Sequence, residues 1–481
     1  MNAAAVAVRS SSLREAHPRR WLAAGVMIVA ALMDMIDVTI VNVAVPTIRA
    51  DLGASATQLE WVISAYMLAF AAVLIVAGSL GDVFGRRRVF LLGIGTFGVA
   101  SLCAGLAQSP GELIAARVVQ GASAGAMMPQ LLATFRSIFT GEERAKAFGM
   151  LGAVFGFASA IGLVLGGVLT DADLFGSSWR SVFFVNVPVA LFSLVATRRV
   201  VPETRNPEAG RPDLVGAGLL VASLVAVVYP LLEGRSQGWP VWIFAMLAAG
   251  VVAFLALGFV ESRRHRPGVA PLLRMRLFRV PAFAAGLGVQ LAFSLGLQGF
   301  SLVFALWVQT GQHYSPLRAG LTLLAFSVGS FLLAGPSVPL AQRYGRWVLV
   351  AGGLLMALGI VGVDIGAHHV GGGTNPWPLV PGLVVAGAGL ALLVIPLVNV
   401  VLAAVPAEAA GGASGLFSTS QQLGGALGVA VLGTIFFAQL PEHSFKDAFL
   451  HTAPFAALAF VVCAALALVL PRTAVEDVDA V

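Results

Sequence analysis

Residues 78–90, GSLGDVFGRRRVF, place a short charged turn between two apolar stretches. Gly78, Gly81 and Gly85 surround the carboxylate of Asp82, and three arginines beginning at Arg86 follow it. Glycine permits tight turns and close backbone approach, and a carboxylate at a membrane edge needs a cationic or helix N-terminal partner. The arginines anchor the turn on one side of a membrane. The glycines and Asp82 predict, in addition, a contact that moving helices make and break.

The composition indicates that a bilayer is the main solvent. Of 481 residues, 58% are hydrophobic and 11% are charged, whereas soluble domains carry about 25% charged residues. The net charge of +6 does not indicate a nucleic-acid partner, because no basic face with interleaved aromatic residues is present. Cys103 and Cys463 both lie in apolar stretches, so neither a disulfide framework nor a metal site is expected.

Apolar stretches long enough to cross a bilayer, about 20 residues each, occur fourteen times along the chain. They are expected to be helices, because backbone groups in lipid must satisfy one another. The candidate spans are 21–45, 61–81, 89–107, 112–134, 148–170, 181–197, 213–232, 240–260, 281–310, 319–340, 346–366, 377–402, 410–438 and 448–470.

The distribution of Lys and Arg predicts the orientation of these spans. With a cytoplasmic N-terminus, 23 of the 29 basic residues fall in cytoplasmic segments, five fall in outer loops, and Arg117 lies within a span. Cytoplasmic loops of membrane proteins carry such an excess. Both termini are therefore predicted to be cytoplasmic, in a bacterial inner membrane.

An internal repeat predicts two related halves. Leu80–Arg86 matches Leu340–Arg346 at an offset of 260 residues, and each segment follows the second span of a group of six. Parallel six-helix halves are typical of transporters. The predicted organisation is a cytoplasmic tail (1–20), a six-helix bundle (21–197), two linker helices with basic connectors (198–280), a second bundle (281–470) and a cytoplasmic tail (471–481).

Several motifs resemble the major facilitator superfamily, in its fourteen-helix drug:proton antiporter branch. They are GSLGDVFGRRRVF itself, DVTIVNVAVP (37–46), Arg117 through Gly125, RSVFFVNVP (180–188) and SGLFSTSQQLGGALG (414–428). The resemblance implies an all-α fold of two six-helix bundles plus two inserted helices, a role in transport, and a monomer. The family's fifth span carries a Gly-Pro pair, whereas here Leu163 follows Gly162, so strict antiport is the least supported implication.

The energy source is predicted to be a proton gradient, with no other cofactor. Neither lysine fits a phosphate-binding loop, which excludes ATP hydrolysis by this chain. Asp34 and Asp37 lie three residues apart and share one face of the first helix, while Arg117 lies in the fourth. We expect Asp37 to take and release the proton, with Asp34 assisting and Arg117 tuning it. A buried structural ion pair is the alternative, and Asp34 could instead contact a cationic substrate.

Two polar stripes predict a substrate cavity. Their residues recur every three or four positions, and the alternative is hydrogen bonding between helices. With Asn42 and Gln120 from the first and fourth spans, the candidate residues are Gln290, Ser294, Gln298, Ser301, Ser414, Ser418 and Gln421. The small-residue pairs Gly152/Gly156 and Gly162/Gly166 predict close helix packing or a sliding contact between the halves.

The sequence thus predicts a secondary active transporter that exports hydrophobic compounds, including cationic ones, in exchange for protons by alternating access. The alternative is a dedicated exporter of one endogenous metabolite or lipid. A channel is disfavoured because no continuous polar pore is evident, and a sensor is disfavoured because the longest polar segments are short. No catalytic constellation is present, so an enzyme is not expected.

Overall fold

The computed structural model describes residues 19–173, 176–205, 211–234, 236–263, 269–270, 277–278, 280–370, 375–403, 405, 410–440 and 442–470. Fourteen long helices occupy this part of the chain. Their bounds are α1 Arg20–Leu52, α2 Ala56–Phe84, α3 Arg86–Leu106, α4 Pro110–Ile138, α5 Gly141–Asp171, α6 Ser181–Phe184 continued by Asn186–Val200, α7 Leu214–Glu233, α8 Val241–Arg263, α9 Pro281–Leu306, α10 Pro316–Tyr344, α11 Arg346–His369, α12 Val380–Ala403, α13 Ala410–Gln439 and α14 Phe445–Ala467.

The fourteen predicted spans correspond one to one with these helices. Eleven are long and apolar enough to cross a membrane by length and composition. The other three are α4, which carries charges near both ends, and α5 and α7, which contain shorter apolar segments. Short 3-10 turns precede α6 and α12, a π-helical turn at Trp307–Gly311 extends α9, and a two-residue parallel pair, β1 (Arg211–Pro212) with β2 (Val269–Ala270), joins the connectors.

Close approach of helices at glycine repeats in the two halves. In the first half, Gly121 of α4 lies against the backbone carbonyl of Tyr66 in α2. In the second, Gly387 of α12 lies against that of Phe326 in α10. A Cβ at either glycine would lie within 2.1 Å of the facing oxygen, so only glycine allows these contacts. The same helix pairs therefore pack in the same way in α1–α6 and α9–α14.

The two halves meet near one side of the bundle, called here the outer side; the opposite side, which holds Arg20 and Arg86–Arg88, is called the basic side. Gln309 at the end of α9 donates a hydrogen bond of 2.9 Å to the carbonyl of Val43 in α1. Gly320 of α10 lies against the carbonyl of Leu163 in α5. These contacts close the outer side.

The halves separate toward the basic side. Gly425 of α13 lies against Met67 of α2. Gln421, one turn closer to the basic side on the same face of α13, is exposed. A Cβ added at Gly415, further along α13, would meet no described atom within 4 Å beyond its own helix backbone and chain neighbours. The described part of α13 is therefore open toward the basic side.

The inserted helix α7 contacts both halves at the outer side. Trp61 of α2 donates its indole N–H to Glu233 Oε1 at 3.0 Å, and Thr434 of α13 donates to the carbonyl of Leu231 at 3.3 Å. The second inserted helix, α8, packs on α7, since Gly250 lies against Ala226. The linker pair is thus attached to both bundles.

Candidate functional site

The first bundle buries a carboxylate network around Asp37. Arg117 Nη1 lies 2.5 Å from Asp37 Oδ2. The other oxygen, Oδ1, accepts hydrogen bonds from Gln120 Nε2 at 3.2 Å and from Asn186 Nδ2 at 2.8 Å. Asp37 is fully buried and Arg117 is only 2% exposed. Both carboxylate oxygens of Asp37 therefore have hydrogen-bond donors, one of them the guanidinium of Arg117.

Three helices of the first bundle hold the Arg117 guanidinium. Its Nε donates to the carbonyl of Val62 at 3.1 Å, and Nη1 also donates to Gln120 Oε1 at 3.0 Å. The ring of Tyr66 lies 4.2 Å from the guanidinium carbon, a distance at which the ring face attracts a cation. Gln120 in turn donates to Ser101 Oγ at 2.8 Å, so α1, α2, α3 and α4 are joined through one network.

Asp34 lies one turn from Asp37 in a different environment. Tyr66 Oη donates a short hydrogen bond to Asp34 Oδ1. Asp34 Oδ2 is buried and receives no hydrogen bond from any residue that the structure describes. The side chains around it are apolar: Ala31, Phe90, Met127, Met128 and Leu131. Asp34 therefore combines complete burial with incomplete hydrogen bonding.

Sequence reasoning missed three members of this network, Tyr66, Asn186 and Ser101. Asn186 belongs to the RSVFFVNVP motif, which supported the family resemblance without suggesting a partner. Tyr66 is one of only four tyrosines in the chain and lies within an apolar span. A rare polar side chain in such a span could have indicated a buried hydrogen-bond donor. Nothing in the sequence around Ser101 distinguishes it from a packing serine.

The glycine-rich turn between α2 and α3 is built against α4. An added Cβ at Gly81 would lie 1.7 Å from Gln130 Oε1, and one at Gly78 would lie 4.0 Å from Pro129. Gln130 itself donates to the carbonyl of Ala77 at 2.6 Å. Asp82 accepts from Arg86 at 2.7 Å, and Arg86 also donates to the carbonyl of Ala133 at 3.3 Å. These partners all belong to the first half.

Glu203, which sequence reasoning also missed, docks on the same turn. Its Oε1 accepts from the backbone N–H of Arg87 at 3.1 Å, and an added Cβ at Gly85 would lie 2.7 Å from that oxygen. Gly85 has a φ of +105°, which L side chains rarely adopt. A carboxylate at the first turn of α3 is stabilised by the helix dipole. The sequence did offer one signal for Glu203: it is an acidic residue four positions after Arg199, the basic end of the sixth span.

The structure divides the predicted cavity residues into two groups. Gln290 and Ser294 are buried and hydrogen-bonded to each other at 3.0 Å, and Ser294 lies against Gly424 of α13. Ser294 therefore packs at the interface between α9 and α13, whereas the Gln290–Ser294 hydrogen bond lies within α9 and is not an interhelical bond. Lining of the cavity by these two residues stays a prediction.

The remaining polar candidates are less enclosed. Gln298 and Ser418 are half-buried and Gln421 is exposed. Ser301 is also half-buried, but it donates a hydrogen bond to the carbonyl of Leu297, one turn back on its own helix. Asn42 is buried, and it likewise donates to the carbonyl of Val38, one turn back on α1. Ser414 lies outside the residues whose side chains the structure describes. Gln421, Ser418 and Gln298 remain the predicted cavity positions that the open side can reach.

The glycines of α5 pack in part as predicted. Gly162 lies against Thr39 and Gly166 lies against Ile40, so both bring α5 onto α1 within the first half. The contact between halves falls instead on Gly167, which lies against Leu317 of α10, and on Leu163. Gly152 and Gly156 lie outside the residues whose side chains the structure describes.

Comparison with known proteins identifies the family. The sequence profile of the Major Facilitator Superfamily matches residues 27–295 and 286–480. A solved structure from work on substrate recognition in proton-dependent oligopeptide transporters superposes with a TM-score of 0.67, covers 93% of this chain and 98% of its own, and is 18% identical. At this identity the likeness shows the fold alone.

Curated relatives are considerably more similar in sequence. A probable actinorhodin transporter of Streptomyces coelicolor is 41% identical over 429 residues, which are 88% of this chain and 74% of the relative. A puromycin resistance protein of Streptomyces alboniger is 36% identical over 436 residues, 90% of this chain and 84% of the relative. The profile match and these identities over most of both chains establish that the protein is a multi-pass membrane protein of the Major Facilitator Superfamily.

Proposed function

We propose that the protein exports a small hydrophobic compound from the cytoplasm in exchange for protons, by alternating access between its two halves. The observation that carries this proposal is Asp34. A fully buried carboxylate with one oxygen lacking a donor is costly when charged and usually neutralises by taking up a proton. Its location in a bundle open to one side supports a group that binds a proton on one side of the membrane and releases it on the other.

The two carboxylates have different roles in this proposal. Asp37 serves as the partner of Arg117 and also accepts from Gln120 and Asn186, so its charge is compensated inside the bundle. Asp34 holds the proton in the state described here. This reverses the sequence-based expectation, in which Asp37 was the proton carrier and Asp34 its assistant. The buried ion pair anticipated as the alternative for Asp37 is present, and it fixes the helix face on which Asp34 lies.

Export rather than import is supported by the named activities of the relatives. Transport of actinorhodin and resistance to puromycin are properties of those proteins, and outward movement of a compound is the simplest common basis. The basic side is taken as cytoplasmic because of its excess of arginine. The cargo then enters from the cytoplasm past Gln421 and Ser418, and the exchange needs no cofactor beyond the proton gradient of a bacterial inner membrane.

The experiment is transport by the purified protein in liposomes. Ethidium, Hoechst 33342, rhodamine 6G and puromycin are tested, each with and without an imposed pH gradient. We expect accumulation of at least one probe only with the gradient, and its loss when an ionophore collapses the gradient. If every transported probe accumulated to the same level with and without the pH gradient, the result would contradict proton exchange.

Dedicated export of one endogenous metabolite is a second candidate. The observation that favours it is the 41% identity to a probable actinorhodin transporter, a protein named for a single compound. A resistance panel in a host lacking its own efflux pumps separates the two. Protection against several unrelated compounds supports a broad exporter, whereas protection against one supports a dedicated exporter.

A further inference from the structure

A groove runs along the perimeter of the second bundle, between α11 and α14. One wall is formed by Leu354, Leu358 and Val361 of α11, and the other by Ala457 and Leu458 of α14, with a volume of about 500 Å³. Leu354, Leu358, Val361 and Leu458 are exposed on the molecular surface, so the groove opens toward lipid. Its size lies within the range of small-molecule sites, about 300–1,000 Å³.

Asp364 is the one charged residue lining this otherwise apolar groove. It lies five positions before the outer end of α11. Its Oδ1 is buried and accepts no hydrogen bond from the described part of the chain. Ionisable residues inside membrane helices are rare and are functional candidates by default. This carboxylate therefore requires an explanation that the exchange at Asp34, in the other half of the protein, does not supply.

The basic groups near Asp364 do not form an ion pair with it. Lys446 at the start of α14 donates instead to the carbonyls of His368 and Val370, at 3.2 and 3.4 Å. His368 is exposed, one turn further out on α11. The structure records no ion pair for Asp364 among the described residues. The outer end of the groove thus presents a half-buried carboxyl group that has no cationic partner among the described residues, next to apolar walls.

We propose that this groove binds a lipophilic ammonium compound from the outer leaflet, with the ammonium at Asp364 and the apolar body along α11 and α14. The groove follows α11 from Asp364 to Leu354, ten residues or about 15 Å of helix, which suits an extended hydrocarbon chain. A zwitterionic phospholipid would bring its phosphate close to the carboxylate, and the two negative charges would repel. The occupant is therefore a cationic amphiphile that lacks a phosphate.

The test is equilibrium binding to the full-length protein in nanodiscs of phosphatidylcholine. The probe is radiolabelled dodecylamine, and dodecanol is the uncharged probe of equal chain length. We expect saturable binding of dodecylamine and none of dodecanol. Asp364→Asn keeps the side-chain shape and should weaken dodecylamine binding by about tenfold or more, because a hydrogen bond to a charged group is lost. Leu458→Trp narrows the groove at an exposed position and should also weaken it.

One further variant separates this groove from other acidic sites. Asp447→Asn alters an acid at the outer end of α14 that is bonded to Ser444, and it should bind dodecylamine as the wild type does. Unchanged affinity in Asp364→Asn and Leu458→Trp would overturn the proposal, as would an equal loss of binding in Asp447→Asn. Displacement of dodecylamine by phosphatidylethanolamine would assign the groove to a lipid instead.

Discussion

At the scale of single residues, the Asp37–Arg117 pair is the most deeply buried ion pair among the residues that the structure describes. Both groups are buried within the first bundle, and Asp37 also accepts from two amides. Removing one member of a buried pair leaves an uncompensated charge, whereas removing both does not. The pair can therefore be tested by a double-mutant cycle.

We expect Arg117→Ala to reduce stability by about 3–5 kcal/mol, because Asp37 is left charged and buried. Asp37→Asn should also destabilise, since Arg117 loses its acceptor. The double variant Asp37→Asn/Arg117→Ala should be more stable than the sum of the single changes implies. Thermal unfolding in detergent provides the measurement, and strictly additive effects would show that the two groups do not interact.

The sequence identified both members of this pair, but not the difference between Asp37 and Asp34. Spacing places the two aspartates on one helix face, and a carboxylate in an apolar span is visible in any sequence. Which oxygen has a donor depends on Tyr66 and Asn186, which come from other helices. Residue type alone carries no information on these partners. Spacing alone therefore predicts Asp37 as the proton carrier, whereas the proposal made above, which uses these partners, places the proton on Asp34.

At the scale of helices, glycine determines how closely neighbours approach. Fourteen helices could be predicted because apolar stretches of this length have few other structures available in lipid. Their packing partners could not, because a glycine in a sequence does not show which helix faces it. Gly162 and Gly166 were thus recognised as packing residues, whereas the contact between halves falls on Gly167 and Gly320.

Gly320→Ala should weaken closure of the outer side. The added Cβ would lie 2.4 Å from the carbonyl of Leu163, so α5 and α10 must move apart. Gly335→Ala on the same helix is the matched control, because no described atom lies within 4 Å of the added Cβ. Fluorescence energy transfer between labels at the outer ends of α5 and α10 should report a larger distance in Gly320→Ala only. Equal distances in both variants would exclude this role for Gly320.

An ion pair at the basic side should make stability depend on pH. Arg20 donates to both oxygens of Glu143 at 2.8 Å, which lowers the pKa of that carboxyl from its ordinary value. Because the pKa is lowered on folding, the stabilisation is present above the ordinary value, near 4.5, and is lost as the pH falls through the folded-state pKa.

Glu143→Gln should therefore melt below the wild type at pH 7, and the two melting temperatures should converge in strongly acidic buffer. High salt should reduce the difference at pH 7, since the pair is partly exposed. Thermal unfolding across this pH range is the measurement. A difference that is the same at every pH would indicate that Glu143 acts through packing.

At the scale of the whole molecule, the inserted pair α7 and α8 does more than connect two bundles. The sequence predicts these helices as a linker between the two halves. The structure shows α7 bonded to α2 of the first half and α13 of the second, both at the outer side. Opening of that side must therefore change at least one of the two contacts.

Trp61→Phe and Thr434→Val each remove one hydrogen bond to α7 while keeping most of the side-chain volume. Each should increase the outward-open population severalfold, in line with about 1 kcal/mol per bond. Thr452→Val is the control, since Thr452 donates only within α14, to Ala448. Accessibility of a cysteine placed on the inner face of α13 to an impermeant reagent added outside measures this population. An increase in the control as well would point to general loosening of the bundles.

The central claim is that Asp34 carries a proton while Asp37 remains charged in the state open to the basic side. Infrared difference spectroscopy measures this directly, because a protonated carboxylic acid has a carbonyl band that a carboxylate lacks. The account predicts a band in the wild-type protein that disappears in Asp34→Asn and persists in Asp37→Asn. A band that persists in Asp34→Asn and disappears in Asp37→Asn would contradict the account.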